Sequence, residues 1–432
     1  MQRTEDVLKI LAEEIVPAEG CTEPIALAYA AALITKAFGG KVAKTMAVSL
    51  SGNMIKNVKS VHIPSAGDEV GIEMAVAMGA LLGDSSKKFM VISDVDLSRL
   101  DETRAYAASG AISTRLEKDC PKLYIRIDAQ DPAGRKAVVE ISEFHTRVTR
   151  YELDGRDLLE GVAEACSEEQ IKEEYTDRSF LNTDLICQTA ESIDIEKIAP
   201  VFEKVVEYNE AIAREGLRGD WGIAIGKTII EGIAEGVLGN DIKNNLAGWT
   251  AAGSDARMNG CPMPVMTTSG SGNQGMTCSI PVIRFCKMRG ISHERMLRGL
   301  FVSHMMTVHI KENIGRLSAY CGAMAASAGV AGALAWLDGL GVDKVKMAVE
   351  TTLATVSGII CDGAKSSCAT KIASGIETAV DAYLAASKGR GLRSGDGIVG
   401  RNIESTIGRV GTLGSEGMRE TDEVILNIMM EK

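Results

Sequence analysis

The sequence lacks the features that mark several large classes of protein. Only 4% of its 432 residues are aromatic, and its formal net charge is −11 with no basic run. Phosphate contacts need clustered lysine and arginine, so nucleic acid is a poor partner for this chain. The longest apolar runs, such as CGAMAASAGVAGALAWL, are shorter than a membrane span requires. The charged N-terminal stretch has no apolar core of a signal peptide, so we predict a cytoplasmic protein without membrane association.

Glycine, alanine and cysteine are what the chain has in quantity. Apolar residues make up 45% of the sequence, which is enough for a sizeable core, and there are 45 glycines and ten cysteines. A chain of this length predicts two or three domains. In a reducing compartment the cysteines should not form structural disulfides, so some are core residues and others are candidates for metal binding or chemistry.

Periodicity predicts an α+β fold, with a small mixed α/β sandwich lobe and a larger, mostly α-helical domain. We predict a helical segment at 1–40 that packs on the helical domain, the lobe at 41–155 and the helical domain at 156–432. Within the lobe, the segments KFMVISDV, LYIRIDAQ, KAVVEISE and TRVTRYEL are predicted strands, and LDETRAYAASGAISTRLEK is a predicted helix. Loops rich in small residues are predicted at 252–279 and 390–415.

A glycine-rich stretch, TTSGSGNQGMTC, runs from Thr267 to Cys278. Such a loop presents backbone N–H groups, and a helix that begins there adds a dipole that favours an anion. A substrate carboxylate or phosphate would suit it, and a flexible surface loop is the alternative. It is not a Walker A loop, because it has no Gly-Lys-Ser/Thr.

Cys21 lies in the motif AEGCTEP, just before a predicted helix. A position at a helix N-terminus lowers the pKa of a thiol and favours the thiolate. Cys21 is therefore a candidate base or nucleophile. The alternative is a small buried residue at a turn.

Cys321, Cys361 and Cys368 lie in the same Gly/Ala-rich half of the chain. If residues 361–368 formed one helix, the Cα atoms of the last two cysteines would lie ~10.5 Å apart at ~1.5 Å per residue. That separation exceeds the ~7 Å limit for a disulfide and is large for one compact metal centre. A shared ligand role therefore requires a turn, which Gly363 permits. The spacing also departs from the C-x₂₋₄-C pattern of zinc sites.

Other titratable residues fit structural roles at least as well as chemical ones. His304 and His309 are near Cys321 in sequence, but each is equally readily a packed helix residue. Lys227, in GIAIGKTI, is a candidate amine for a pyridoxal phosphate (PLP) cofactor, and a solvated helix residue is the simpler interpretation. We interpret the cysteines without patterned neighbours as structural; these are Cys120, Cys166, Cys187, Cys261 and Cys286.

Taken together, these blocks resemble the L-cysteine desulfidase family, which is related to the iron–sulfur L-serine dehydratases. EGCTEPIALAYAAA is similar to the N-terminal signature of that family, SGNMIKNVKSVHIP to its second block and TSGSGNQG to its third. YCGAMAASAG and GIICDGAKSSC resemble its cluster-binding blocks. The resemblance runs essentially end to end, and the combination is more specific than any single block.

The resemblance implies a [4Fe-4S] cluster on Cys321, Cys361 and Cys368, with one iron left open as a Lewis acid. It implies that Cys21 accepts a proton, at a motif where serine dehydratases carry a Ser/His-rich version. The implied reaction is PLP-independent α,β-elimination of L-cysteine to pyruvate, ammonia and hydrogen sulfide. The implied substrate-binding residues are Thr22, Glu23, Thr268, Ser269, Gly270, Ser271, Gly272, Asn273 and Gln274.

Two alternatives stay open at this point. An L-serine dehydratase on the same scaffold differs only in its leaving group. A non-catalytic, cluster-dependent redox sensor would use the same cysteines but would need an effector module, which the sequence does not display. Some serine dehydratases end in a cysteine that caps the open iron, whereas this sequence has no cysteine after Cys368. The Gly/Ala-rich helices would suit a homodimer.

Overall fold

The computed structural model describes residues 2–162 and 176–431, and Cys166 lies outside these ranges. The predicted α+β class is confirmed, because a six-stranded sheet and a two-stranded sheet accompany a larger helical region. The strands are β1 (Pro17–Glu19), β2 (Thr45–Leu50), β3 (Ile112–Leu116), β4 (Tyr124–Gln130), β5 (Lys136–Ser142), β6 (Val148–Leu153), β7 (Arg156–Asp157) and β8 (Pro264–Met266).

Helices precede, interrupt and follow the sheet. In the first part of the chain they are α1 (Gln2–Glu14), α2 (Thr22–Ala37), α3 (Gly52–Val58), α4 (Ile72–Leu82) and α5 (Leu100–Ala108). The second part contains α6 (Thr183–Ser192), α7 (Ile195–Arg218), α8 (Ile225–Ala234), α9 (Ile242–Met258), α10 (Gly272–Arg289), α11 (His293–Ile314), α12 (Gly322–Leu337), α13 (Val342–Val356), α14 (Ser367–Ser387), α15 (Ile403–Thr412) and α16 (Arg419–Met430).

The six-stranded sheet has the order β3-β2-β4-β5-β6-β7, and only the pairing of β2 with β3 is parallel. Alternate residues of β4 are buried, namely Ile125, Ile127 and Ala129. This period of two places one face of the sheet on a core that α2 and α4 cover. The predicted strands at LYIRIDAQ, KAVVEISE and TRVTRYEL are confirmed.

Helix α2 lies in the lobe and not, as we expected for the segment 1–40, on the helical region. Its residues are buried continuously from Thr22 to Ile34, so it has no polar face to turn to water. The sheet and α4 together bury it. Helix α1 does pack in the helical core, through Val7, Ile10 and Leu11. The predicted boundaries after residues 40 and 155 stay predictions.

Helix α12 lies at the centre of the helical region. Fifteen of its sixteen residues, all except Gly322, are buried. Helices α11, α13, α14 and α10 pack around it. Its alanines and glycines let these neighbours approach closely, which agrees with the prediction of a large region built from Gly/Ala-rich helices. No helix within residues 2–162 and 176–431 is long and apolar enough to cross a membrane.

Four predicted elements differ from the structure. KFMVISDV is not a strand: a 3-10 helix at Ser85–Met90 and turns replace it, and burial of Val91 and Ile92 in the lobe core satisfies the apolar run without strand pairing. The predicted helix LDETRAYAASGAISTRLEK ends at Ala108, and its second half becomes β3 beside β2. The predicted loops are shorter than 252–279 and 390–415, because α9, α10 and α15 extend into them.

Candidate active site

The two-stranded sheet joins the first motif to the glycine-rich loop. Strands β1 and β8 pair antiparallel, with Ala18 opposite Val265. Beyond this sheet, the Thr22 hydroxyl donates a hydrogen bond to the Gly270 carbonyl at 3.0 Å. Two motifs about 250 residues apart in sequence therefore lie side by side.

A second backbone link joins two of the candidate ligand cysteines. Tyr320 and Ile360 form an isolated antiparallel bridge. The Cys361 N–H donates to the Ala319 carbonyl at 2.6 Å, and the Cys321 N–H donates to the Ile359 carbonyl at 3.2 Å. The two thiols are thus held next to each other by the main chain and not by their own side chains.

The chain from Cys361 to Cys368 contains the turn that a shared ligand role requires. Residues 361–366 are not helical, and α14 begins only at Ser367. Gly363 has φ +97°, and a Cβ atom there would lie 2.4 Å from the Lys56 carbonyl oxygen. Only glycine fits this bend, which is where the sequence predicted it.

These segments enclose a cavity of about 100 Å³. The candidate base and the three candidate ligand cysteines line it, with seven of the nine predicted substrate-binding residues: Cys21, Cys321, Cys361, Cys368, Thr22, Glu23, Ser269, Gly270, Ser271, Asn273 and Gln274. The other two lie behind the surface of the cavity. Thr268 Oγ1 lies 2.7 Å from His304 Nδ1, and Gly272 packs against Arg257.

The cavity also contains side chains that sequence reasoning did not assign; these are Asn53, Asn57, His145, Arg257, Lys311, Arg316 and Tyr320. Asn53 and Asn57 belong to the block SGNMIKNVKSVHIP. The family resemblance includes this block, but neither asparagine was predicted to be a site residue. Arg257 stands two residues after Asp255 in a stretch of mostly small residues, and no local signal distinguishes it. His145 carries no local signal, because only the fold of the sheet brings it to the site.

Glu23 is the centre of a buried hydrogen-bond network. Its Oε2 accepts from the Cys21 thiol at 2.9 Å, and its Oε1 accepts from Asn57 Nδ2 at 2.9 Å. His145 Nε2 lies 3.9 Å from Oε1, an ion-pair distance longer than a hydrogen bond. Burial opposes the charged carboxylate, but His145 and the Cys21 thiol outweigh it and lower the pKa of Glu23 to about 2.

The predicted effect of the helix N-terminus on Cys21 is wrong. Cys21 is the N-cap of α2, yet its pKa is raised well above the usual value, first by burial and then by the adjacent charge of Glu23. The nearby charge of Arg257 acts in the opposite direction but is weaker. Cys21 therefore holds its proton, which it donates to Glu23.

Comparison with known proteins adds the family to this geometry. The profile of the family described as serine dehydratase alpha chain matches residues 138–427. The chain belongs to this family. It is also 50% identical to a UPF0597 protein of Fusobacterium nucleatum over 99% of each chain. UPF0597 proteins of Lachnoclostridium phytofermentans and Desulfitobacterium hafniense are 43% and 39% identical, with coverage of 98% of this chain in both cases and 99% and 96% of the relatives.

Serine dehydratase alpha chains in general depend on an iron–sulfur centre, and the three clustered thiols fit one. Burial, then the charges of the other thiols, raise the pKa of Cys321 to about 12 and that of Cys368 to about 11. As thiolates, these three side chains would repel one another. An iron–sulfur cluster, which has several positively charged iron atoms, would be a suitable partner for them. Lys371 adds positive charge beside them.

A single metal ion fits the same thiols poorly. Within the described ranges, no three or more His, Cys, Asp or Glu side chains are arranged to hold one ion. His304 and His309 do not line the cavity; His304 contacts Thr268, and His309 Nε2 lies 2.6 Å from Glu404 Oε2. The donor set therefore suits a cluster better than a mononuclear site.

Two other candidates from the sequence lie outside the chemistry of the cavity. Lys227 forms an ion pair with Asp220 at 2.5 Å and does not line the cavity. The segment Gly270–Gly275 reads G-x-G-x-x-G. It follows a three-residue antiparallel strand and not a parallel strand of a βαβ unit, so it lacks the setting of a dinucleotide-binding loop.

A second carboxylate precedes Cys21 and behaves in the opposite way to Glu23. Glu19 is fully buried, and neither of its carboxylate oxygens has a hydrogen-bond partner. Burial, with a smaller contribution from Asp94, raises its pKa to about 7, although Lys87 opposes the shift. The protonated form of Glu19 therefore stabilises the fold, and its ionisation destabilises it.

We predict that Glu19→Gln changes how stability depends on pH. The contribution of Glu19 is complete below the unfolded pKa of about 4.5 and is lost as pH rises through about 7. The free energy of unfolding of the variant, relative to wild type, should therefore increase by about 2 kcal/mol from pH 5 to pH 8. Urea denaturation at both pH values measures it.

The matched control is Glu23→Gln, because Glu23 titrates below pH 4.5 and is ionised throughout this range. Its stability difference from wild type should be the same at pH 5 and pH 8. If the free energy of unfolding changes equally for the Glu19→Gln variant and for wild type between pH 5 and pH 8, the raised pKa of Glu19 is contradicted.

Proposed function

We propose that this protein is a [4Fe-4S]-dependent lyase that eliminates hydrogen sulfide from L-cysteine and yields pyruvate and ammonia. The observation that carries the proposal is the single cavity where Cys21, the glycine-rich loop and three clustered cysteines meet. Membership of the serine dehydratase alpha chain family supports a lyase. The presence of cysteine and the absence of histidine in AEGCTEP support the desulfidase reaction over the dehydratase reaction.

Cys321, Cys361 and Cys368 would hold the cluster. Bound there by three thiolates, it would supply a Lewis-acidic iron that no protein thiolate occupies. The protein fixes these ligands through the Tyr320–Ile360 bridge and the turn at Gly363.

Cys21 is the proposed base, and Glu23 is the proposed acceptor of its thiol proton. The thiol proton moves along the 2.9 Å hydrogen bond to the Glu23 carboxylate, which leaves a thiolate to remove the α-proton of the substrate. The Cα–H electron pair then forms the Cα=Cβ bond, and the Cβ–S bond breaks. A carboxyl group with a pKa of about 2 gives its proton readily to the departing sulfide, which restores the starting charges.

The product of elimination is 2-aminoacrylate, which tautomerises to an imine and takes up water to give pyruvate and ammonia. Atoms balance as L-cysteine plus water giving pyruvate, ammonia and hydrogen sulfide. A larger cavity of about 800 Å³ adjoins the site and would give the substrate a route from the surface. Four residues line both cavities: Ser269, Lys311, Arg316 and Leu317.

The second candidate is L-serine dehydratase activity, which the description of the matched family favours. Anaerobic enzyme, reconstituted with iron and sulfide, should release sulfide and pyruvate in equal amounts from L-cysteine, with a higher kcat/KM than for pyruvate formation from L-serine. A higher kcat/KM for L-serine would replace the proposal with the dehydratase reaction. No pyruvate from either amino acid would reject both.

We predict that Cys21→Ser lowers kcat for L-cysteine by about 10²–10⁴-fold, because a serine hydroxyl is a much poorer proton acceptor than a thiolate. Iron and sulfide contents should stay at the wild-type level, since Cys21 is not one of the three clustered thiols. Cys286→Ser, at a buried cysteine outside the cavity, is the control and should keep its activity. Full activity of the Cys21 variant with an intact cluster would show that another group is the base.

We also predict that Gly363→Ala prevents cluster assembly. Its Cβ atom would lie 2.4 Å from the Lys56 carbonyl oxygen, at a positive φ that disfavours alanine, so the turn that carries Cys361 and Cys368 must move. Gly358→Ala is the matched control, because no atom lies within 4 Å of its Cβ position. Iron and acid-labile sulfide per chain measure the outcome, and equal contents in both variants would contradict it.

A further inference from the structure

The most unusual side chain of the cavity is Arg257, near the end of α9. Its residue is 1% exposed, and it is the largest of the fully buried side chains. Its Nε and Nη2 atoms are sealed from solvent and have no hydrogen-bond partner. A buried guanidinium without a carboxylate is costly, because its lost hydration is not replaced. A partner from outside the chain would remove that deficit.

The other guanidinium of the cavity, that of Arg316, does not share this deficit. Arg316 forms an ion pair with Glu14 at 2.8 Å and lies over the Phe144 ring. Lys311 is a buried ammonium and not a guanidinium; it donates to the Arg316 carbonyl at 3.4 Å, and no ion pair of it is found among the described residues. Among the cavity-lining residues of the described ranges, Arg257 is thus the guanidinium without an ion-pair partner.

The start of α10 is built to admit this guanidinium. A Cβ atom on Gly272 would lie 2.4 Å from Arg257 Nε and 2.6 Å from its Cζ, so any other residue would displace the group. Ser271 caps the same helix by accepting a hydrogen bond from the Gln274 N–H at 3.4 Å. The guanidinium and the positive end of α10 therefore face the same space.

We propose that Arg257 binds the carboxylate of the amino-acid substrate. This inference rests on the proposed function. The guanidinium offers parallel N–H donors in the geometry that a carboxylate accepts. Arg257 is also close enough to Cys21, Glu23 and Cys368 to interact with their charges. A carboxylate held there places the rest of a small amino acid between the proposed base and the three clustered thiols.

The experiment measures binding separately from turnover. L-Alanine has the α-amino carboxylate but no leaving group, and L-alaninamide lacks the carboxylate charge. Calorimetry with reconstituted wild-type enzyme should show that L-alanine binds about 10²-fold or more tightly than L-alaninamide. In Arg257→Met this preference should fall to about one, and in Arg257→Lys it should be intermediate.

Two further measurements separate a binding role from a structural one. Removal of an unpaired buried charge should leave the melting temperature of Arg257→Met equal to that of wild type or higher. The matched control is Arg284→Met, because Arg284 also has an unpartnered Nε but stacks on Trp249 outside the cavity. This control should keep the wild-type preference for L-alanine.

The outcomes distinguish this inference from the proposed function. If L-cysteine yields pyruvate and Arg257→Met keeps both its KM and the preference for L-alanine, Arg257 does not bind the carboxylate, and the lyase proposal stands. If no amino acid is converted but the preference for L-alanine depends on Arg257, the binding role stands and the lyase proposal fails. A wild-type enzyme that does not prefer L-alanine to L-alaninamide overturns the binding role.

Discussion

Helices α2, α10, α12 and α14 begin at the same cavity, and their first turns or caps supply Cys21, Ser271, Cys321 and Cys368. A helix N-terminus has N–H groups without intrahelical partners and a partial positive charge. Cys21 and Cys321 are N-caps that make no side-chain capping bond, so their sulfurs are free to face the cavity while the main chain fixes their positions. The site depends on this convergence, because it places thiols and anion-binding groups together in a small volume.

Two short backbone links hold the converging ends in register. The β1–β8 sheet fixes the start of α2 beside the start of α10, and the Tyr320–Ile360 bridge fixes the start of α12 beside the loop that precedes α14. Helix α2 belongs to the core of the lobe, whereas α10, α12 and α14 belong to the core of the helical region. Cys21 itself lies in a small apolar cluster with Val61 and Met258, and Cys368 packs against this cluster. The proposed base and one of the proposed cluster ligands are therefore in contact with the same apolar side chains, where the two cores meet.

Sequence patterns predicted what depends on neighbours along the chain. Alternation identified β4, β5 and β6, and the geometry of an ideal helix showed that a turn was needed near Gly363. The patterns were wrong where tertiary packing decides. Val91 and Ile92 have β-strand propensity, but they bury in the lobe core without a pairing partner. The pKa of Cys21 was also mispredicted, because burial and Glu23 outweigh the helix end. The sequence patterns did not identify Arg257. Its distinguishing feature is a buried guanidinium whose Nε and Nη2 atoms lack hydrogen-bond partners in the fold, and no local pattern reveals that.

The raised pKa of Cys21 is compatible with a role as base. The α-proton of an amino acid is weakly acidic, so a strong base is needed, and a thiolate gains basicity as its pKa rises. Burial and Glu23 keep the population of the Cys21 thiolate small but make that thiolate strongly basic. The Glu23 carboxylate, which is hydrogen-bonded to the thiol, is the acceptor of its proton. A substrate carboxylate on Arg257 would offset the positive charge that favours the thiolate and would raise its basicity further.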